Sequence, residues 1–242
     1  MQEPPRSLAV IVPILNEGAQ LQDLLSHLES IGAEQLIIVD GGSSDGSYLW
    51  LCNHWHDPDR QRWALQSPPG RALQMNTGVR VAQADVLLFL HADTRLPEDA
   101  RRAILAAREE QYLWGRFDVR FEDAGNIRRA MAVIALFMNI RSRLTSISTG
   151  DQAMFVDHVL FRNIGGFELI PLMEDIALSK VLKRHSVPWC ATSKATTSAR
   201  RWQQNGVVRT VLQMWSLRLA YFAGVSPHKL VKRYYPKKEP LH

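Results

Sequence analysis

The chain has 242 residues, of which 46% are hydrophobic and 22% are charged, so its composition is globular and excludes a disordered protein. The formal net charge is +5 with a pI of about 9.4, and basic residues crowd the last fifth of the sequence. A basic end suits anionic partners such as nucleotide diphosphates or anionic lipid, and a solvated tail without a partner is the simpler alternative.

Targeting signals and membrane spans are not predicted. Cys52 and Cys190 have no CxxC spacing, which indicates a reducing, cytoplasmic compartment and argues against a cysteine metal site. The first ten residues carry a glutamate and two prolines before the first apolar run, unlike a signal peptide. Segments 130–140 and 207–225 are apolar, but the first is too short to span a bilayer and the second contains Arg209 and Arg218. We predict core or interfacial helices there, and contact with the inner face of the membrane stays open.

The first half of the chain alternates between short apolar runs and helical patterns. Strands are predicted at residues 8–15, 35–39, 63–66 and 85–90. Helices are predicted after each strand: one with Gly32 as its C-terminal cap, one capped by Ser44 or Asp45, one starting near Gly70, and one opening at Pro97. Strands separated by helices indicate βαβ units, so we predict an α/β fold with a mostly parallel central sheet flanked by helices.

The second half has a different pattern. Strands are predicted at 114–122, 150–156 and 189–195, helices at 128–144, 174–184 and 203–222, and a turn at 164–167. Neither an internal repeat nor a linker is visible. We therefore predict one domain over residues 1–242, with a ligand-binding half at about 7–112, a second, C-terminally helical half at about 113–225, and a basic tail at 226–242.

Polar residues follow the predicted parallel strands. Ligands bind beyond the carboxyl ends of such strands, so one site should collect Asn16, Glu17, Asp40, Arg71 and the His91–Asp93 segment. The turn after the second strand, VDGGSSDG, matches neither G-x-G-x-x-G nor Walker A, and its two aspartates would repel phosphate. We therefore expect Asp40 to accept a hydrogen bond from a base, and Asp45 to contact a ribose hydroxyl or cap the next helix.

His91 and Asp93 lie on the same side of the tip of the fourth strand, because strand side chains alternate. One carboxylate plus substrate phosphates is the usual arrangement for Mg²⁺, and Mn²⁺ would also accept a histidine ligand. A histidine satisfied within its loop is the alternative for His91. Glu174 and Asp175 begin a helix, where the dipole favours a charged carboxylate suited to act as a general base, although such acids often only stabilise the helix.

Taken together and in order, these motifs resemble those of family 2 inverting glycosyltransferases with the GT-A fold. The resemblance covers about residues 7–202. It rests on the segments Pro13-x-x-Asn16-Glu17, Val39–Gly46, Gly70-Arg71 with Asn76 and Gly78, His91-Ala92-Asp93, Gly165-Gly166-Phe167 and Glu174-Asp175. The segments HADT, GRALQMN and SARRW are similar to a small soluble branch associated with arsenosugar biosynthesis.

The resemblance implies a role for each matching residue. The nucleotide, with uridine preferred, would be bound by Pro13, Asn16, Glu17, Asp40, Asp45, Arg71 and Ala92. Asp93, with His91, would hold the divalent metal, Mn²⁺ or Mg²⁺. Asp175, beside Glu174, would be the base, and the acceptor or leaving-group side would include Asp151, Arg201 and Trp202. His91 replaces the first aspartate of the DXD motif, which leaves the affinity and identity of the metal open. Ser198 replaces the glutamine of QxxRW and transmembrane helices are not predicted, and both points argue against a processive polymer synthase.

The expected activity is transfer of a sugar from a nucleotide-diphosphate sugar, a UDP-sugar by preference, to the hydroxyl of a small-molecule or lipid acceptor. No nucleic-acid partner is expected, and the oligomeric state is left open. A nucleotidyltransferase is one alternative, although it would need a basic glycine-rich loop where Asn16-Glu17 stands. A nucleotide-binding or membrane-surface module without turnover is another.

Overall fold

A computed structural model describes residues 7–122 and 124–234. Its eight strands are β1 (Leu8–Ile14), β2 (Gln35–Asp40), β3 (Arg62–Gln66), β4 (Val86–Phe89), β5 (Thr94–Arg95), β6 (Trp114–Glu122), β7 (Met154–Asp157) and β8 (Trp189–Ser198). The helices are α1 (Leu21–Ser30), α2 (Ser47–His54), α3 (Arg71–Val79), α4 (Ala100–Glu109), α5 (Arg128–Thr145), α6 (His158–Asn163), α7 (Glu174–Leu182), α8 (Arg200–Asn205), α9 (Val207–Phe222) and α10 (Pro227–Tyr234).

All eight strands form one sheet in the order β3-β2-β1-β4-β7-β6-β8-β5. Strands β3, β2, β1 and β4 are parallel, β7 runs antiparallel to both β4 and β6, and β8 is parallel to β6. The short strand β5 pairs antiparallel with β8. The predicted α/β class, with a mostly parallel sheet and flanking helices, is confirmed.

Two hydrophobic layers cover the faces of this sheet, which explains why its central strands are apolar at every position. In β1, Leu8, Val10 and Val12 belong to the layer that includes α1, while Ala9 and Ile11 belong to the layer that includes α3. Both layers continue under the strands of the second half. The sheet is therefore covered on both faces, and the loops at the ends of its strands remain accessible.

Several predicted boundaries need correction. The helix expected at Pro97 begins at Ala100, because residues 97–99 form a turn in which the Ala100 N–H donates to the Pro97 carbonyl. The segment 150–156 starts as a 3₁₀ turn before β7. The helix predicted over 203–222 is two helices, α8 and α9, because Gly206 adopts φ 79° and ψ 140° between them.

The predicted basic tail starts as helix α10, and its remainder, 235–242, lies outside the described residues, as do residues 1–6 of the N-terminus. Among residues 7–122 and 124–234, no helix combines the length and apolar character that crossing a bilayer requires.

Candidate active site

The site lies at the carboxyl ends of β2, β1 and β4, which are neighbours in the sheet. Pro13 pairs with Val39 near the end of β1 and is buried within the strand rather than in a loop. The register of β1 with β4 ends at Ile11, so the missing N–H of Pro13 interrupts no pairing on that side.

Asp40 ends β2 and is fully buried. Its Oδ1 accepts hydrogen bonds from the backbone N–H groups of Gly42 at 2.8 Å and Ser43 at 2.9 Å. Its Oδ2 is buried and has no hydrogen-bond partner among the described residues. A buried carboxylate oxygen without a donor is costly, so this atom is free to accept a bond from a ligand.

Two loops are joined at this edge. Asn16, with φ 57°, accepts from the Ser44 N–H at 2.8 Å, and its own N–H donates to the Ser43 hydroxyl at 2.8 Å. Asp45 accepts from the Gly18 N–H at 2.8 Å and from the N–H of Ser47 at 3.0 Å. The Ser47 hydroxyl bond, with these N–H bonds, lowers the pKa of the exposed Asp45 carboxyl.

Asp45 therefore stabilises the start of α2, although the N-cap residue is Gly46. Its outer side borders a pocket of about 390 Å³ between the starts of α1 and α2, lined also by Gln22 and Trp50. Both expected roles, the helix contact and access to a ligand, are compatible with this position.

Gln74 is a residue that the sequence patterns do not reveal. It is buried in α3, and its side-chain amide donates to the carbonyls of Ile14 and Val39, each at 2.8 Å. A Cβ at Gly41 would lie 2.9 Å from this amide. Gly41 therefore makes room for Gln74, which holds the tips of β1 and β2 together.

Glu17 and Asp93 face each other across the site. Burial raises the pKa of Glu17, and the negative charges of Asp93 and Asp45 raise it further, whereas Arg200 opposes them. Arg200 follows the end of β8. It lies near this part of the site because Thr197 of β8 pairs with Thr94, the residue after Asp93. Asp93 forms no hydrogen bond or ion pair with any residue that the structure describes.

The His91 ring is directed at the second half of the chain. Its Nδ1 lies 3.5 Å from Oδ1 of Asp151. Burial alone would lower the pKa of His91, but the hydrogen bond to Asp151 and the charges of Asp151 and Asp93 outweigh it and raise that pKa. The Ala92 carbonyl accepts from Arg95 at 2.8 Å. Among the described residues, no three His, Cys, Asp or Glu side chains are grouped as a ligand set for a metal ion.

The acidic start of α7 lies beside this histidine. Oδ2 of Asp175 accepts from the Gly150 N–H at 2.9 Å, and Gly150 touches the His91 ring. Glu174 is buried, and its Oε1 lies 2.9 Å from Nε of Arg71. Burial raises the pKa of Glu174, as does the charge of Asp175, with Arg71 opposing. Arg71, which was expected at the nucleotide side of the site, thus forms an ion pair with Glu174.

Two further cations, absent from the predicted set, face Asp175. Arg141 on α5 has a pKa lowered to about 10, first by burial and then by Arg218 and Arg116, with Asp175 opposing. Its Nε and Nη2 are buried and have no hydrogen-bond partner among the described residues. Arg218 on α9 also has a pKa lowered by burial, opposed by the charges of Asp175 and Asp151.

Arg201 and Trp202 lie in α8, just beyond β8. The Arg201 guanidinium lies over the ring of Tyr234, 4.0 Å from its centroid, and donates to its hydroxyl. Trp202 forms an edge-on contact with Phe121 in a hydrophobic cluster. Arg200, rather than Arg201, is the cation that acts on Glu17.

The turn Gly165-Gly166-Phe167 has a structural explanation. Asn76 in α3 donates to the Phe167 carbonyl at 2.8 Å and accepts from the Phe167 N–H at 3.0 Å. A Cβ at Gly166 would lie 2.8 Å from Oδ1 of Asn76. This pair of hydrogen bonds fixes the segment that leads to α7 against the helix that carries Arg71.

The sequence of this chain matches a known protein family. The sequence profile described as "Glycosyl transferase family 2" matches residues 9–165. The chain belongs to glycosyltransferase family 2. Its motifs after β1, β2 and β4 all fall inside the matched region.

Proteins with similar sequences include those named undecaprenyl-phosphate 4-deoxy-4-formamido-L-arabinose transferase in Yersinia pestis and Yersinia pseudotuberculosis. Each is 26% identical over 159 residues, covering 62% of this chain and 48% of the relative. The chain thus spans about half the length of these relatives.

Solved structures with a similar fold include S. aureus TarS residues 1–349, with a TM-score of 0.58 at 15% identity over 78% of this chain and 57% of that one. The same protein in complex with UDP-GlcNAc gives a TM-score of 0.59 at 14% identity, over 79% and 58% of the two chains. This likeness establishes a GT-A-like fold.

Proposed function

We propose that this family 2 glycosyltransferase moves a sugar from a UDP-sugar to an acceptor hydroxyl with inversion, and that Asp175 is the general base. The observation that carries the proposal is the contact of Asp175 with Gly150, which lies against His91. This contact brings the acidic start of α7 to the edge that carries Asp40 and Asp93. Inversion by a single displacement needs the leaving diphosphate on one side of the anomeric carbon and the acceptor with its base on the other. The first half of the chain would bind the donor, and the second half would supply the base.

The nucleoside end of the donor belongs at Asp40. Its free Oδ2 is suited to the N–H of a uracil ring, and the UDP-GlcNAc complex of TarS supports this choice of donor for a chain of similar fold. Asn16 and the pocket beside Asp45 would accommodate the ribose. Arg71 and Arg200, as cations, and Ala92 of the His91–Asp93 segment would lie toward the diphosphate.

Asp93 would hold a divalent cation, Mn²⁺ or Mg²⁺, together with the donor phosphates. Asp93 suits a cation because it has no ion pair within the described residues. Its negative charge also raises the pKa of Glu17, and a cation between the two carboxylates would relieve this repulsion. When bound, the cation would stabilise negative charge on the departing diphosphate. His91 remains a candidate ligand, although its Nδ1 faces Asp151.

Asp175 would take the proton of the acceptor hydroxyl. The Gly150 N–H fixes Oδ2, while a carboxylate keeps further lone pairs for a second hydrogen bond. Arg141 and Arg218 offset the charge of Asp175 before the acceptor arrives.

A lipid phosphate is the second candidate acceptor. The Yersinia relatives are named for undecaprenyl phosphate, and the unpartnered nitrogens of Arg141 suit an anionic head group beside Asp175. A phosphate monoester, with a second pKa of about 6, is already anionic at neutral pH and would need no base. The arsenosugar branch remains a prediction from the motifs alone.

The test compares Asp175→Asn with the wild type. We expect UDP release from UDP-sugars to fall by about 10²–10⁴-fold, because general-base catalysis contributes this much, while UDP affinity in calorimetry with Mn²⁺ stays unchanged. Asp59→Asn, at an exposed site before β3, is the control and should match the wild type in both measurements.

Equal loss of turnover and of UDP binding would remove Asp175 from the role of base. Full turnover of Asp175→Asn with a prenyl phosphate, but not with an alcohol acceptor, would favour the second candidate. UDP binding without any UDP release from the donors tried would favour the module without turnover.

A further inference from the structure

The outer face of α5 is apolar although it faces solvent. Its exposed residues Val133, Leu136, Phe137, Ile140 and Leu144 follow helical spacing and are 44–81% exposed. The opposite, buried face includes Asn139 and Ser142 beside Met131 and Ala135. Five large apolar side chains exposed on one helix, while Asn139 and Ser142 are buried, depart from the usual pattern, in which such apolar side chains face the core.

Helix α9 repeats this arrangement. Its exposed apolar residues, spaced alternately by four and three positions, are Val208, Leu212, Trp215, Leu219 and Phe222, and they are 56–72% exposed. Thr210 and Leu217 mark its buried side. Large side chains at this exposure in two helices are more than the scattered apolar residues of an ordinary surface.

The two helices are neighbours beside the active site. Ile134 and Val207 share one hydrophobic cluster, while Arg141 and Arg218 are close enough to affect each other and both face Asp175. Each helix therefore directs an arginine at the Asp175 side of the site, while its large apolar side chains are exposed to solvent.

The charge around this surface identifies its partner. Residues 176–234 contain no aspartate or glutamate, and neither does α5. Exposed cations near the ends of these helices and on α10 are Arg128, Arg129, Arg209, Lys229, Lys232 and Arg233. Apolar residues bordered by cations fit an anionic lipid surface, whereas a second copy of this chain would bring like charges together.

We propose that the exposed faces of α5 and α9 dock this protein onto the surface of an anionic lipid bilayer. Phe137, Leu219 and their neighbours enter the boundary between head groups and acyl chains, Trp215 lies at the head-group level, and the bordering cations contact lipid phosphates. Docking places the Asp175 side of the site next to the membrane. This inference does not depend on sugar transfer.

The test is co-sedimentation of the full chain with vesicles. We expect binding to vesicles of equal parts phosphatidylglycerol and phosphatidylcholine, weak binding to phosphatidylcholine alone, and weaker binding as salt rises. The double variant Phe137→Ser/Trp215→Ser should bind about tenfold or more weakly, because two apolar side chains no longer enter the bilayer. The control Val159→Ser/Val187→Ser changes residues of similar exposure, 66% and 69%, outside these faces.

The control should bind like the wild type, and both variants should keep the wild-type melting temperature. Failure of the wild type to sediment with anionic vesicles, or equal loss in the control variant, would overturn the proposal. So would light scattering that shows a dimer broken by Phe137→Ser/Trp215→Ser without any vesicle binding, because the surface would then join two copies. UDP release measured without vesicles tests the proposed activity separately.

Discussion

At the scale of single residues, Gly150 is the tightest point of the site. A Cβ there would lie 2.2 Å from Cε1 and Nε2 of His91, so only glycine lets the ring reach Asp151. The same Gly150 donates its N–H to Asp175. One residue without a side chain thus fixes a histidine and a carboxylate from different halves of the chain.

The histidine titration tests this arrangement. In the Asp151→Asn variant we expect the pKa of His91 to fall, because burial and the charge of Arg71 lower it and the opposing negative charge of Asp151 is removed, although the amide oxygen can still accept a hydrogen bond. Nuclear magnetic resonance of the imidazole ring measures the change, with exposed His228 as the internal reference. An unchanged His91 midpoint would contradict the pairing.

The pair also predicts a pH window for stability. The raised pKa of His91 contributes stability that is full below its ordinary value of 6.5 and is lost as pH rises through the folded value. The lowered pKa of Asp151 contributes stability above 3.8 that is lost as pH falls through the folded value. The contribution of this pair is therefore greatest between these two ordinary values.

Some site residues were predictable and others were not. Asp40, Asp93 and Glu17 follow apolar runs, and a parallel sheet brings the ends of such runs to one edge. Arg141, Arg200 and Arg218 lie in helices far along the chain that contain several arginines. No local sequence pattern predicts which of these arginines reach the site. Gln74 looks like any polar residue of a helix.

At the scale of elements, the break between α8 and α9 is the main departure from the predicted helices. Residues 203–222 have a continuous helical pattern, and a single glycine is tolerated in many helices, so its presence alone did not place a break. With φ 79° and ψ 140°, Gly206 has a backbone conformation that other residues rarely adopt.

Replacing this glycine should therefore be costly. We expect Gly206→Ala to lower the free energy of unfolding by about 1–3 kcal/mol, from backbone strain. The neighbouring Asn205→Ala, also exposed, should change it by less than about 0.5 kcal/mol. Urea unfolding followed by circular dichroism measures both. Equal stabilities for the two variants would show that the backbone between α8 and α9 does not require glycine at position 206.

At the scale of the whole molecule, the buried oxygen of Asp40 links ligand binding to stability. Asp40→Asn keeps an Oδ1 that can accept from Gly42 and Ser43, but replaces the free acceptor with an N–H₂ donor. The variant should be at least as stable as the wild type without ligand, because it no longer buries a charge with an unpartnered oxygen.

Binding of UDP should stabilise the wild type more than Asp40→Asn. At 100 times its Kd, a ligand stabilises the fold by about 2.7 kcal/mol, and a tenfold loss of affinity corresponds to about 1.4 kcal/mol. We expect UDP to raise the melting temperature of the wild type and to raise that of Asp40→Asn by clearly less, as measured by calorimetry. Equal shifts would show that Asp40 does not contact the base.

The pairing of β5 with β8 has a consequence for synthesis of the chain on the ribosome. Thr94 and Thr197, which pair next to Asp93, are 103 positions apart in sequence. At roughly 5–20 residues per second, β5 waits on the order of 5–20 s for its partner strand to be made. During that interval the four parallel strands of the first half can assemble, while Glu17 still lacks the opposing charge of Arg200. The Asp40 end of the site should therefore form in the nascent chain before Arg200 comes near Glu17.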